Sequence, residues 1–276
     1  METAREGNFA GCMLKEENDM TRIIMHGCNG RMGQMITAIV KERSDAEIVA
    51  GIDIADNIST NGYPVFTDIN ACDVQADVVI DFSSAAAVDK LMDYCEAKNL
   101  PLVLCSTGLS EEQLGRAKAL SEKIAVLKSA NMSLGINLLQ NLLKQAAAIL
   151  APSGFDIEIV EKHHRMKLDA PSGTALALAD SVNEALGNEY EYVFDRSARR
   201  EKRPDKEIGI SAVRGGTIVG DHDVIFAGTD EVITFSHTAY SRAVFAKGAV
   251  SAAVFLAGKP AGFYDMSNVI EESLKK

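Results

Sequence analysis

A net charge of −11 over 276 residues, with a pI near 5.0, excludes a chain built to hold nucleic acid or an anionic membrane, because both require basic surface. With 47% apolar and 24% charged residues the chain suits a globular protein with an ample core, and no apolar run reaches the ~18 residues of a membrane span. Five cysteines (Cys12, Cys28, Cys72, Cys95 and Cys105), odd in number and without CxxC spacing, fit reduced thiols in the cytoplasm; no metal is expected.

Residues 1–19 are polar and lack the apolar core of a secretory signal, so they are expected to form an N-terminal extension outside the fold. TRIIMHG (21–27) has the character of a strand. Glycines at 27, 30 and 33 then give G-x-x-G-x-x-G before the helical MITAIVKER. Glycines there let the backbone approach a pyrophosphate, and the helix N-terminus supplies unpaired N–H groups with a partial positive charge. The second strand, AEIVAGIDI, carries Asp53, 20 residues after Gly33, where an acid can accept hydrogen bonds from both ribose hydroxyls of an adenosine. Ile54, Ala55, Asp56 and Asn57 follow, none able to pair with a 2′-phosphate. NADH is therefore favoured, while Arg31 in the glycine loop leaves NADPH possible.

Strand and helix go on alternating. ADVVIDFS (76–83) precedes the helix AAAVDKLMDYCEAKN, and LPLVLCSTG (100–108) precedes EEQLGRAKALSEK, whose capping box is Ser110 with Gln113. IAVLKSAN (124–131) completes five βα repeats, which predicts a doubly wound, Rossmann-type parallel sheet. Ligands in such sheets lie at the carboxyl ends of the strands. Those ends carry Phe82-Ser83, Cys105-Ser106-Thr107 and Ser129-Ala130-Asn131-Met132, whose small, hydroxyl and amide character suits a nicotinamide and its ribose.

The texture changes after the long helix SLGINLLQNLLKQAAAIL (133–150). FDIEIVEKHH alternates as a strand, TALALADSVNEALG is helical, and GISAVRGG, TIVGDHDVIFAG and DEVITFSHTAY follow as strands without helices between them. That predicts a C-terminal α+β domain with a mixed or antiparallel sheet. One face should be covered by its helix, and the other, with apolar residues in VIFAG and VITF, should serve association. The expected division is 20–132 for the dinucleotide, 133–241 for substrate and assembly, and 242–276 as helices returning to the first domain.

Against the overall acidity stands a positive island, Glu161 to Ala175 (EKHHRMKLDAPSGTA), with Lys162, Arg165 and Lys167 around two histidines. Neighbouring side chains on a strand point to opposite faces, so His163 and His164 must do different jobs. One can serve as a proton donor near neutrality. Lys167 adds a second cation or proton, and the turn Ser172-Gly173-Thr174 opens a helix whose free N–H groups suit a carboxylate. Two anion-binding devices this close suit a small dicarboxylate.

These motifs together resemble the 4-hydroxy-tetrahydrodipicolinate (dihydrodipicolinate) reductase family. The resemblance runs over residues 20–276, most specifically in E-x-H-H-x-x-K-x-D-A-P-S-G-T-A, supported by G-x-x-G-R-M-G (27–33), DFS (81–83), STG (106–108) and ANMSLGIN (130–137). It implies an NAD(P)H-dependent reduction in lysine and diaminopimelate synthesis, by a homotetramer acting on a small cyclic dicarboxylate. It implies that His163 is the general acid and Lys167 its partner, that His164 contacts substrate, and that Gly173 and Thr174 hold a substrate carboxylate. Gly27, Cys28, Asn29, Gly30, Arg31 and Met32 match the pyrophosphate loop, Asp53 the ribose acid, and Cys105-Ser106-Thr107 with Ser129 to Met132 the nicotinamide loops. Cys28, Cys105 and Ile54 depart from the residues common in the family at those places. Another nicotinamide-dependent dehydrogenase and a non-catalytic dinucleotide sensor are the competing readings.

Overall fold

The computed structural model describes residues 20–56, 61–194, 196–197 and 199–275, so the expected extension 1–19 and Asn57 lie outside the described residues. β1 (Thr21–His26), α1 (Arg31–Lys41) and β2 (Ala46–Ile52) come first. No helix follows β2 among the described residues; the chain makes a short strand, β3 (Val65–Phe66), and a single 3₁₀ turn at Ile69–Ala71 instead. Two residues with no amphipathic run beside them give no period to read.

β4 (Val78–Asp81), α2 (Ala85–Lys98), β5 (Leu102–Leu104), α3 (Glu111–Leu120) and β6 (Ala125–Leu127) continue the alternation. Ser110 and Gln113 form the expected capping box on α3. Then come α4 (Leu134–Leu150), β7 (Asp156–His163), α5 (Gly173–Ala185), β8 (Glu191–Val193), β9 (Glu207–Arg214), β10 (Gly220–Ala227) and β11 (Val232–Ala239). The chain finishes with α6 (Ala243–Leu256), β12 (Gly262–Tyr264) and α7 (Met266–Ser273).

The first sheet has seven parallel strands in the order β12-β6-β5-β4-β1-β2-β3. Strand order reverses between β1 and β4, which creates a crevice at their carboxyl ends. Both faces are covered. Ile36 and Val40 of α1 pack with Ala246, Ala249, Ala253 and Leu256 of α6 on one side, while Leu91 and Met92 of α2 and Ala117 and Leu120 of α3 lie on the other. Strands buried on both faces read as continuous apolar runs, as VVI in β4 does. The small residues of α6 bring its backbone close: a Cβ on Gly248 would lie 1.6 Å from the carbonyl oxygen of Met132. β12 was not foreseen; it adds an edge strand to β6 between the two terminal helices.

The second sheet has five strands in the order β11-β10-β7-β9-β8. It is mixed: β10 is antiparallel to both β7 and β11, whereas β9 is parallel to β7 and β8. Its covered face takes two helices where one was expected, with Leu139 and Leu143 of α4 and Leu178 and Val182 of α5 packed on Ile157, Ile159, Ile210, Val224 and Phe226. Alternation along β7 follows the pleat, with Ile157, Ile159, Glu161 and His163 buried. The open face keeps Ile225 and Val232 from VIFAG and VITF, with Val160 beside them, while the bulkier aromatics leave it. Phe226 turns inward, and Ile233 and Phe235 pack on the covered side. Exposed Val213 and Val232 share the other face with the Lys162–Asp223 ion pair at 2.9 Å.

Candidate active site

The crevice at the strand-order reversal begins where β1 turns into α1. Gly27 has φ +83, a conformation that favours glycine, and a Cβ there would lie 2.7 Å from the carbonyl oxygen of Phe82 after β4. A Cβ on Gly33 would lie 2.3 Å from the carbonyl oxygen of Gly27, so the helix can pack on the turn only without one. No side chain caps α1 at Gly30, which leaves its first-turn N–H groups to an outside acceptor. The crevice encloses about 630 Å³ and is bordered by Gly27, Asn29, Gly30, Asp53, Phe82 and Ser83. Asp53 accepts hydrogen bonds at 2.8 Å from the N–H groups of Asn29 and Ile54, which ties the end of β2 to the glycine loop. The size of the crevice, its backbone donors and its carboxylate together fit a dinucleotide.

Other predicted residues of this half contribute backbone more than side chain. Cys28 is buried beside Gly51 and Tyr63, Met32 packs on the core under α1, and Arg31 is exposed. Burial, then the nearby Asp53 carboxylate, pushes the Cys28 thiol up to about 11. Burial and the Asp81 charge push Cys105 well above its ordinary value. Both remain protonated, weakly reactive thiols at neutral pH. Ser106 is buried, Thr107 and Ala130 are exposed, and Met132 joins the core.

Sequence reasoning missed the pair beneath the crevice. His26 Nδ1 lies 2.8 Å from Asp81 Oδ1, which also accepts from the Ser83 N–H and hydroxyl at 3.1 and 2.6 Å. Burial works to raise the Asp81 carboxyl, but the His26 and Ser83 contacts prevail and hold it below the usual range. Lys90 of α2, also missed, borders the same crevice.

The second half lies at the end of β7. The Glu161 carboxylate is fully buried; Oε2 is 2.6 Å from His163 Nδ1 and accepts from Arg214 Nη1 at 2.7 Å. Its Oε1 accepts from Arg214 Nη2 at 2.7 Å and from the Ser172 N–H at 3.0 Å. Burial raises the Glu161 carboxyl, while hydrogen bonds from Arg214, His163 and Ser172 outweigh it and keep the group ionised. Ser172 caps α5 by accepting the Ala175 N–H, and its hydroxyl lies 3.0 Å from His222 Nε2. The His163 and His222 rings meet edge to face at 5.2 Å. Burial first, then the charge of His163, lowers His222 to about 4, so that ring is neutral at physiological pH.

His163 and His164 part as the pleat requires: His163 is buried in this cluster, and His164, past the strand end, is half-buried. Lys167 lies 2.9 Å from Asp169, and its charge contributes to the depression of His222. Gly173 borders open space. Of these partners, Glu161 was legible, since period-two alternation sets it beside His163. Arg214 and His222 come from β9 and β10, and only the sheet register brings them in: His163 lies opposite Arg214, and Glu161 opposite His222.

A side-chain hydrogen bond joins the halves. Asn131 Nδ2, in the loop after β6, donates to Thr174 Oγ1 at 2.9 Å. The loop is stiffened by Asn137, which donates to the carbonyls of Asn131 and Ser133 at 2.7 Å each. A nucleotide crevice tied in this way to a buried cluster of two imidazoles, a carboxylate and a guanidinium suits a nicotinamide-dependent oxidoreductase.

Comparison with known proteins narrows the class. Residues 21–132 match the family model "Dihydrodipicolinate reductase, N-terminus" and 135–270 the model "Dihydrodipicolinate reductase, C-terminus". The 4-hydroxy-tetrahydrodipicolinate reductase of Caldanaerobacter subterraneus subsp. tengcongensis is 51% identical over 253 residues, covering 92% of this chain and 99% of the relative. That of Caulobacter vibrioides is 43% identical, covering 90% and 96%. Among solved structures, a dipicolinate-bound dihydrodipicolinate reductase from Paenisporosarcina sp. TG-14 superposes with a TM-score of 0.74 at 26% identity, covering 89% of this chain and 97% of that one. A probable dehydrogenase from Thermotoga maritima, at 14% identity and TM-score 0.58, shares the fold. The chain belongs to the dihydrodipicolinate reductase family and uses a pyridine nucleotide.

Proposed function

We propose that the chain reduces 4-hydroxy-tetrahydrodipicolinate, through its dehydrated form, to tetrahydrodipicolinate in lysine and diaminopimelate synthesis, with His163 as general acid. The Asn131–Thr174 hydrogen bond carries this reading, because it joins the loop on the nicotinamide side to the turn that suits a substrate carboxylate. The glycine turn at Gly27–Gly30 and Asp53 would hold the nucleotide, which when bound would supply a hydride for an electron-poor ring carbon. His163 then protonates the charge that develops on the conjugated atoms, with Lys167 as partner once it exchanges Asp169 for the incoming anion. The Gly173 and Thr174 N–H groups at the start of α5 hold one carboxylate, and His164 contacts the ring from the other side of the strand end.

For the cofactor, Asp53 and Asp68 border the crevice and disfavour a 2′-phosphate, which supports NADH. Arg31, and Lys90 across the crevice, supply the cations through which NADPH can be accepted. The reading places residues 20–132 with the nucleotide, 133–241 with substrate and 242–276 back on the nucleotide side. Four copies assemble through the open face of the five-stranded sheet in the cytoplasm. No helix among the described residues is long and apolar enough to cross a membrane.

The test is to follow NADH and NADPH oxidation with enzymatically generated 4-hydroxy-tetrahydrodipicolinate. Wild type should oxidise NADH, and His163→Gln should lower turnover about 100-fold while leaving the Kd for NADH unchanged. Full turnover in the variant would remove His163 from the role, and no oxidation of either nucleotide by wild type would end the reading.

A further inference from the structure

Glu161 has no part in the reaction as described, yet its buried carboxylate is bonded at both oxygens. It lies fully buried, and its two oxygens take four hydrogen bonds, from His163, twice from Arg214, and from the Ser172 N–H. Arg214 alone would neutralise the charge, and it is already held from behind by donating to the carbonyls of Asp169 and Val213 at 2.6 and 2.8 Å.

An ionised carboxylate can only accept, so the nitrogen of His163 that faces it must donate. The proton therefore stays on Nδ1, and Nε2 is left as the nitrogen able to pass a proton outward. The surroundings of Nε2 fit that use. It faces Gly220, where a Cβ would come within 3.0 Å, so the absence of a side chain leaves the nitrogen uncrowded. The neighbouring imidazole of His222 turns its own Nε2 to the Ser172 hydroxyl. The same carboxylate also grips the N–H of Ser172, the residue that caps α5 and precedes Gly173 and Thr174.

We infer that Glu161 is a positioning residue that acts through His163: one buried carboxylate selects the proton-giving nitrogen of the ring and fixes its distance from the carboxylate turn. The inference rests on the reading of His163 as the acid. In the step, the Nε2–H bond breaks as the substrate's reacting atom gains the proton. The Nδ1 proton remains on the ring, Glu161 stays charged, and the neutral ring recovers a proton from water.

A double-mutant cycle on the full chain tests it, using Glu161→Gln, His163→Gln and both together, with NADH and 4-hydroxy-tetrahydrodipicolinate. Glu161→Gln is expected to lower kcat about tenfold to a hundredfold, with the KM for NADH within about twofold of wild type. Its solvent deuterium isotope effect on kcat should rise, since proton delivery now limits the rate. The double variant should turn over like His163→Gln alone, within about twofold. Multiplying losses in the double variant, or wild-type turnover in Glu161→Gln, would overturn the inference. A His163→Gln enzyme as fast as wild type would overturn the acid assignment itself, so the two failures are distinguishable. If Glu161→Gln does not fold, Glu161→Asp keeps the charge on Arg214 while drawing the oxygens back by one methylene; it is expected to show the same coupling, and its absence counts equally against the inference.

Discussion

Where β1 turns into α1, the backbone is shaped by what is missing: a Cβ on Gly33 or Gly27 would strike main-chain oxygen at 2.3 or 2.7 Å. At the end of β7 the shape comes from what is present, a buried carboxylate satisfied by a guanidinium, an imidazole and an amide. The glycine turn of the nucleotide half is thus held by steric exclusion, which is indifferent to pH and salt, and charge enters that half only beneath the turn, at the buried His26–Asp81 pair. The substrate half is held by charge in a desolvated place, where each unpaired group is costly. On the proposed function, one half binds the same cofactor in every cycle, while the other moves a proton and releases a product.

That contrast can be broken from either side. The largest expected effect comes from pH acting on the charged half. His222 has its folded value depressed from 6.5 to about 4 by burial. Its contribution to stability is complete above about pH 6.5 and is lost as pH falls to about 4, because the unfolded chain takes up the proton first. The loss amounts to about 3 kcal/mol. Urea unfolding at pH 7.5 and 4.5 should show a smaller pH difference in His222→Asn than in wild type; an identical difference would assign the acid sensitivity elsewhere.

Next in size is Lys167→Ala, expected to lower kcat about 100-fold with the Kd for NADH unchanged, measured by steady-state kinetics and fluorescence titration. A weakened NADH affinity in that variant would show that the halves are not separable. On the steric side, Gly248→Ala should cost about 2 kcal/mol by forcing α6 off the Met132 carbonyl. That loss should be the same at pH 6 and pH 8 in chemical denaturation. The smallest effect is on cofactor choice: Asp53→Ala should weaken NADH about tenfold and NADPH less, read from KM ratios. Equal losses would separate Asp53 from the ribose.

The steric half was the more legible in sequence. Glycines at fixed offsets, a strand before and a helix after, and an acid at the end of the next strand are local signals, and the parallel sheet follows from their repetition. The positive island was equally visible as composition, and the pleat separated His163 from His164. What stayed hidden was long-range. Arg214 and His222 reach Glu161 and His163 only through strand register, which depends on which strands pair. β3 and β12 are too short to carry a period, and which apolar residues of VIFAG and VITF face outward depends on that same register, which turns Phe226 and Phe235 inward and leaves Ile225 and Val232 on the open face.

The pairing of β12 with β6 has a consequence for how the molecule is made. Gly262–Tyr264 completes the edge of the seven-stranded sheet, yet everything from α4 to α6 emerges from the ribosome before it. Closing so long a loop is a late event, since its entropy must be met before the contact rewards it. Until then β6 presents an unpaired row of backbone donors and acceptors, a template for pairing with another nascent chain. A chain cut short after α6 should therefore fail by aggregation rather than by loss of the Glu161–His163 cluster, whose residues are all in place by then.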